Sequence, residues 1–224
     1  MDPAIARFAC TLLLFWPLAG CRTPAGGEPL NLSTAKAAVV AYHDSGAYQR
    51  EVAAVAAEAV AWLEARAARQ APAERLAVVF DVDETVLSSY PQMVSQDFGY
   101  TAESWRAWVL QAEAPLLSPM KRVCDTAREL GFAIIFLTGR EDPAEREATA
   151  RNLFRHGLGP FTQLIMATPA DRHLPAAQRK AAARARLEQE GYTIAANVGD
   201  QASDLVGGHA ERTFKVPNPF YLVP

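Results

Sequence analysis

Two aspartates one residue apart, Asp81 and Asp83, end the apolar run Leu76–Phe80 in the stretch LAVVFDVDET. Side chains two apart on a strand point the same way, so both carboxylates face one site if the extended backbone persists that far. Carboxylates held together at a strand end repel each other and resist burial unless a cation or a reaction needs them. The pair therefore points to Mg²⁺-dependent phosphoryl transfer. The competing reading is that both aspartates merely cap the following helix.

Two further apolar runs end in polar groups. Phe132–Leu137 leads into Thr138-Gly139-Arg140, and Tyr192–Val198 into Gly199-Asp200, with Asp204 four residues on. In a right-handed parallel sheet such strand ends gather in one crevice. Lys180, near the start of a basic helix at 178–190, can point its ammonium there, although Arg179 or Arg184 could serve instead. Each part also has a plainer reading. The Thr138 segment fits an ordinary strand-to-helix turn, Asp204 a turn cap, and Arg140 a surface pair with Asp142.

The elements that must position these groups follow from hydrophobic period and breakers. Ala-rich helices are predicted at 34–43 and 47–69, with His43-Asp44-Ser45-Gly46 as the turn between them. After the first strand, residues 86–119 are long for a plain connection and read as a small cap with one helix near 102–112. Trp105 and Trp108 fall on one face of that helix, where they form the cap's own core or stack on a substrate ring. A helix at 120–130, one at 143–156, a short strand at 163–166, a loop at 168–178 and a last strand at 213–216 complete the chain. Strands alternating with helices predict an α/β fold, a three-layer Rossmann-like parallel sheet with helices on both faces. Cys124, in the helix after the cap, reads as a buried small hydrophobe.

The chain has 224 residues, half of them hydrophobic, and a net charge of −3. That suits one domain, and with no cluster of Lys or Arg it speaks against a polymeric nucleic acid partner. Residues 1–20 read as a signal segment: Arg7 precedes the apolar run Phe8–Leu18, which is too short to span a bilayer. Leu18-Ala19-Gly20-Cys21 resembles the bacterial lipobox, in which the cysteine is lipidated; ordinary signal cleavage nearby is the alternative. Arg22 rather than aspartate after Cys21 implies, by that resemblance, an outer-membrane anchor facing the periplasm. Residues 21–31 then form a Pro/Gly tether to a domain at 32–224.

Taken in order, Asp81-Val82-Asp83-Glu84-Thr85, Leu137-Thr138-Gly139-Arg140, Lys180 and Gly199-Asp200-Gln201-Ala202-Ser203-Asp204 resemble the four motifs of the haloacid-dehalogenase superfamily of phosphatases. The likeness extends to Asn218-Pro219-Phe220-Tyr221. It is strongest to the acid phosphatase branch that holds plant vegetative storage proteins and bacterial outer-membrane lipoprotein phosphatases. The resemblance implies an aspartyl-phosphate on Asp81, with Asp83 as general acid and base. It implies Mg²⁺ held by Asp81, the Asp83 backbone carbonyl and Asp200, with Asp204 supporting through water. Thr138 and the Gly139 N–H would hold phosphoryl oxygens, and Lys180 would offset developing charge. The implied substrate is a small phosphomonoester, nucleoside monophosphates included. A storage or ligand-binding protein that keeps this fold without turnover is the alternative.

Overall fold

The computed structural model describes residues 29–171 and 173–223. The signal segment, Cys21 and most of the tether lie outside the described residues. Two helices, α1 (Leu32–Asp44) and α2 (Ala47–Ala67), precede strand β1 (Arg75–Phe80). Gly46, at φ 75°, makes the turn between them, a conformation that costs glycine little. The predicted turn therefore shrinks to Ser45-Gly46. His43 stays helical and stacks on Tyr90, with ring centroids 3.5 Å apart.

The sheet has five parallel strands in the order β3-β2-β1-β4-β5, as the alternation of elements predicts. Here β2 is Ala133–Glu141, β3 Gln163–Ala167, β4 Tyr192–Gly199 and β5 Thr213–Lys215. The chain runs outward from β1 to β3 and then crosses back to β4, so the order reverses beside β1. Ligands of open α/β sheets bind outside the carboxyl ends of strands at such a reversal.

The strands are apolar on both faces because both are covered. Leu76, Val78 and Phe80 of β1 enter a core with Ile134 and Phe136 of β2, packed under α2 and α5 (Ser118–Glu129). Ala77, Val79, Ile135 and Leu137 point the other way, toward Ala183 and Leu187 of α7 (Ala176–Gln189). Leu153 of α6 (Arg146–Arg155) joins the first core at the β2 and β3 side. Cys124 lies within that core and forms no disulfide, as a small apolar residue would; burial pushes its thiol up to about 12. In β4 the register against β1 skips Ala195, whose carbonyl instead accepts the Trp62 indole N–H at 2.8 Å. A bulge carbonyl that would otherwise be buried without a donor is thereby satisfied.

The segment after β1 forms two helices rather than one, α3 (Tyr90–Ser95) and α4 (Ala102–Gln111). Its legs are tied together where they leave the sheet: Ser88 N–H donates to the Pro115 carbonyl at 2.8 Å and Leu117 N–H to that of Val86 at 3.0 Å. The cap is thus a closed excursion from the end of β1. A second difference lies in β2, which continues through Thr138-Gly139-Arg140 to Glu141, with its register against β3 broken after Leu137.

Phe136 is fully buried and meets Phe80 at 6.0 Å and Phe161 edge-on at 5.6 Å. Its replacement by alanine should leave a cavity under the strand that carries Thr138. We expect Phe136→Ala to lower unfolding free energy by about 3–5 kcal/mol, read from the midpoint shift in urea denaturation. A loss below about 1 kcal/mol would show that the sheet does not depend on this packing.

Candidate active site

The end of β1 delivers the first carboxylate. Asp81 N–H donates to the Val198 carbonyl of β4 at 2.9 Å, so the backbone is still paired when the side chain enters the crevice. β4 delivers the second, Asp200, and the short helix α8 (Ala202–Leu205) the third, Asp204. Carboxylate oxygens of these three buried residues lie within 4.8 Å of one another. Gly199 is what admits Asp204 there: a Cβ at Gly199 would come within 2.4 Å of the Asp204 Cβ. Asp204 also acts as the cap read from the sequence, accepting from Gln201 N–H at 2.8 Å, so the two readings of this residue are compatible.

Lys180 enters from α7 and lies between the carboxylates, its Nζ 2.6 Å from Asp81 Oδ1 and 2.5 Å from Asp204 Oδ1. Burial works against the ammonium, but Asp81 and Asp204 outweigh it and hold Lys180 above its ordinary value. Asp81 itself is pushed well above the usual carboxylate range, chiefly by burial; Lys180 pulls it back, while Asp204, Asp200 and Asp83 add repulsion. Three carboxylates surround this one ammonium, so Lys180 alone does not balance them when all are ionised.

Asp83 does not join that triad. Its oxygens are gripped by the Arg140 guanidinium at 2.7 and 3.0 Å, a bidentate pair that fixes both planes. Arg140 therefore pairs inward, and Asp142 is taken by Arg146 at 2.7 Å. Thr138 is fully buried at the end of β2, its Oγ1 accepting from Arg140 N–H at 3.2 Å. Arg184 is excluded from Lys180's role, since its donors hold the carbonyls of Asp204, Val206 and Gly208.

Several residues around the site carried no chemical signal in the sequence. Asp200 is oriented by Gln201 Nε2 at 2.6 Å, Asn218 Nδ2 at 2.7 Å and Thr85 Oγ1 at 3.2 Å. Burial and then Asp204 push its carboxyl up, while Asn218, Gln201 and Lys180 pull it partly back. Glu84 is fully buried at φ 52°, accepting from Ser89 N–H and, at 3.0 Å, from the Tyr221 hydroxyl. Burial, then Asp83 and Asp200, push Glu84 well above the ordinary range. Asn218 also turns its own chain by accepting from Phe220 N–H at 2.8 Å. The only signal for this segment was its likeness to a family pattern, because a Pro-rich tail has no periodicity to read.

Together the strand ends, the cap and residues 220–223 enclose a cavity of about 550 Å³. Its floor is charged; its walls are apolar and include Met93, Phe98, Trp105 and Phe220. The two tryptophans part company: Trp105 faces the cavity, whereas Trp108 packs on the main core.

A doubly wound parallel sheet with carboxylates at adjoining strand ends and an inserted cap defines a class of α/β proteins built around an anion and cation site. The particular family follows from the sequence of residues 29–224, which matches HAD superfamily, subfamily IIIB (Acid phosphatase), where HAD stands for haloacid dehalogenase; the chain belongs to that family. It is 39% identical over 152 residues to the Stem 28 kDa glycoprotein of Glycine max, across 65% of this chain and 59% of that one. It is 34% identical over 149 residues to Acid phosphatase 1 of Solanum lycopersicum, across 65% and 58%. The match thus spans less than two thirds of either plant protein. In fold the chain is similar to the Class C acid phosphatase from Bacillus anthracis, with a TM-score of 0.70 over 85% of each chain at 22% identity.

Removing Arg140 would leave Asp83 beside three other carboxylates without its partner. We expect Arg140→Met to lower stability by about 3–5 kcal/mol near neutral pH, the usual cost of breaking one half of a buried pair. The double variant Arg140→Met/Asp83→Leu should recover much of that loss. Equal denaturation midpoints for the two variants would contradict the pairing.

Proposed function

We propose that the chain hydrolyses phosphomonoesters with Mg²⁺ held by Asp81, Asp200 and Asp204, the Asp83 backbone carbonyl completing the protein's contribution. The observation that carries this reading is the triad of buried carboxylates within 4.8 Å, drawn from two strand ends and a helix. The donors fit the ion: all are hard oxygens, and among the described residues the four aspartates Asp81, Asp83, Asp200 and Asp204 bond two cationic side chains, Lys180 and Arg140. When bound, the ion neutralises charge between the attacking carboxylate and the phosphate.

The chain's own groups do the rest. One oxygen of Asp81 attacks phosphorus and forms an aspartyl-phosphate as the ester oxygen departs. Asp83 protonates that oxygen and then takes a proton from the water that opens the acyl-phosphate. To reach either oxygen Asp83 gives up part of its Arg140 grip, so Arg140 holds the acid and base in store. Thr138 and the Gly139 N–H bind phosphoryl oxygens, and Lys180 keeps Asp81 aimed while offsetting charge. The apolar walls suit an alcohol with a flat or apolar body, such as an aryl group or a nucleoside.

The purified protein should release phosphate from an aryl phosphate, lose activity in EDTA and regain it with added Mg²⁺. Asp81→Asn should reduce turnover on the order of a thousandfold or more. Undiminished turnover in EDTA, or an active Asp81→Asn protein, would sink the mechanism. Binding of Mg²⁺ and phosphate with no turnover across a broad ester panel would instead favour a storage or binding role.

Envelope anchoring is a proposal of a different kind, because it rests on the sequence of residues 1–22 alone. Cys21→Ala should move the protein from the membrane fraction to the soluble fraction of bacterial cells expressing it. An unchanged distribution, with no lipid on the wild-type protein by mass spectrometry, would reject the lipid anchor.

A further inference from the structure

Among the described residues, three cationic side chains line the cavity: Arg140, Lys180 and Arg179. Arg140 is bidentate to Asp83 and also donates to Thr149 at 3.2 Å. Lys180 is divided between Asp81 and Asp204. Both are therefore already engaged by carboxylates before any substrate arrives. Arg179 differs from them. Its only side-chain hydrogen bond among the described residues runs from Nη1 to the Thr138 carbonyl at 3.1 Å, and no carboxylate there lies within ion-pair distance. Asp171, which faces it from the loop before α7, accepts instead from the Thr168 hydroxyl and N–H at 2.7 and 3.0 Å.

That single bond fixes where the remaining donors lie. Arg179 occupies the first turns of α7, beside Lys180, and its guanidinium reaches across to the end of β2. Its Nη2 is 3.7 Å from the point at which a side chain on Gly139 would begin, so the planar head lies over the Gly139 backbone. This is the wall on which the phosphoryl oxygens would rest. A guanidinium presents five N–H donors in a flat fork that matches the oxygens of a phosphate. Anchoring through one N–H leaves the others available without freeing the head to wander, which lowers the entropic cost of gripping an anion.

We propose that Arg179 is a substrate-binding residue that receives the phosphoryl dianion at the cavity, separate from Lys180, whose ammonium serves the carboxylates. This rests on the reading of the site as one for phosphomonoesters. Charge explains the need. Four ionised aspartates against two engaged cations and a divalent ion leave the crevice near neutral, with no net positive charge to draw in a dianion. An uncommitted guanidinium at the cavity wall supplies attraction on approach, before the reacting groups meet. Its contribution is made equally to ground state and transition state, so it should show in binding rather than in the chemical step.

The test compares wild type with Arg179→Gln and Arg179→Lys in the full chain at saturating Mg²⁺. KM and kcat are measured for an aryl phosphate, together with Ki for inorganic phosphate. Direct binding of inorganic phosphate is measured by calorimetry in the Asp81→Asn background. We expect Arg179→Gln to raise KM and Ki about tenfold or more while kcat falls less than about threefold, with Arg179→Lys between the two. Calorimetry should show the same loss of phosphate affinity, with an unchanged melting temperature. KM, Ki and calorimetric affinity within about twofold of wild type would overturn the proposal, as would a fall in kcat at constant KM. Phosphate binding that depends on Arg179 in a protein without esterase activity would reject the hydrolase reading and leave this assignment standing.

Discussion

Lys180 is the contact on which the site depends. Without an ammonium between them, Asp81 and Asp204 would bring like charges together in a place nearly closed to water, and the crevice would open or take up protons. Asp204 in turn caps α8 through Gln201, and its carbonyl accepts from both Asn197 and Arg184. One cation thus binds the end of β1, α7 and α8 into a single unit. Sheet topology explains why they can meet: α7 is the crossover that returns the chain past β1, so its first turns must pass over the strand ends.

A second ion pair does comparable work on the other side of Asp81. Arg140 holds Asp83 away from the triad, which keeps the two aspartates of one short motif in different environments. Neighbouring carboxylates with different partners can take different roles: Asp81 lies on an ammonium shared with Asp204, and Asp83 on a guanidinium of its own. The alternation of a strand would have put both on one face. The regular strand ends at Phe80, however, and Arg140 draws the Asp83 carboxylate to itself, so the pleat does not decide where that side chain lies.

How much of this was legible in the sequence varies by physical cause. The parallel sheet was readable because strands buried on both faces must be continuously apolar, and Leu76–Phe80 and Phe132–Leu137 are. Asp81 and Asp200 were readable because topology forces strand ends together, Lys180 because a helix start can reach them, and Asp204 through the family resemblance. The orientation of Asp83 was not, since it depends on the reach of Arg140 across 57 residues of sequence. The second cap helix was missed because α3 has only six residues, too few to display a period. Asn218 and Tyr221 lie in a segment without repeats, where side-chain hydrogen bonds rather than hydrophobic pattern decide the path.

Those residues alter how the cavity should be understood. A wall made of residues 220–223 has no strand or helix to stiffen it, yet it is bound to the floor at three points: Asn218 to Asp200, Tyr221 to Glu84 and Val223 to Gln201. Two of those three are on motif residues or their immediate neighbours after β4, and the third is inside the motif after β1. The shape of the pocket is therefore coupled to the geometry of its carboxylates. A change in the tail that alters which alcohols fit will also disturb Asp200, so substrate preference and metal affinity should shift together rather than separately. The cap offers the opposite case. Met93, Phe98 and Trp105 face the cavity from an excursion closed at its own base by the Ser88–Pro115 and Val86–Leu117 pairs and tied to Asp83 through Ser89 Oγ at 3.4 Å, so changes at those three reach the aspartates less directly than changes in the tail.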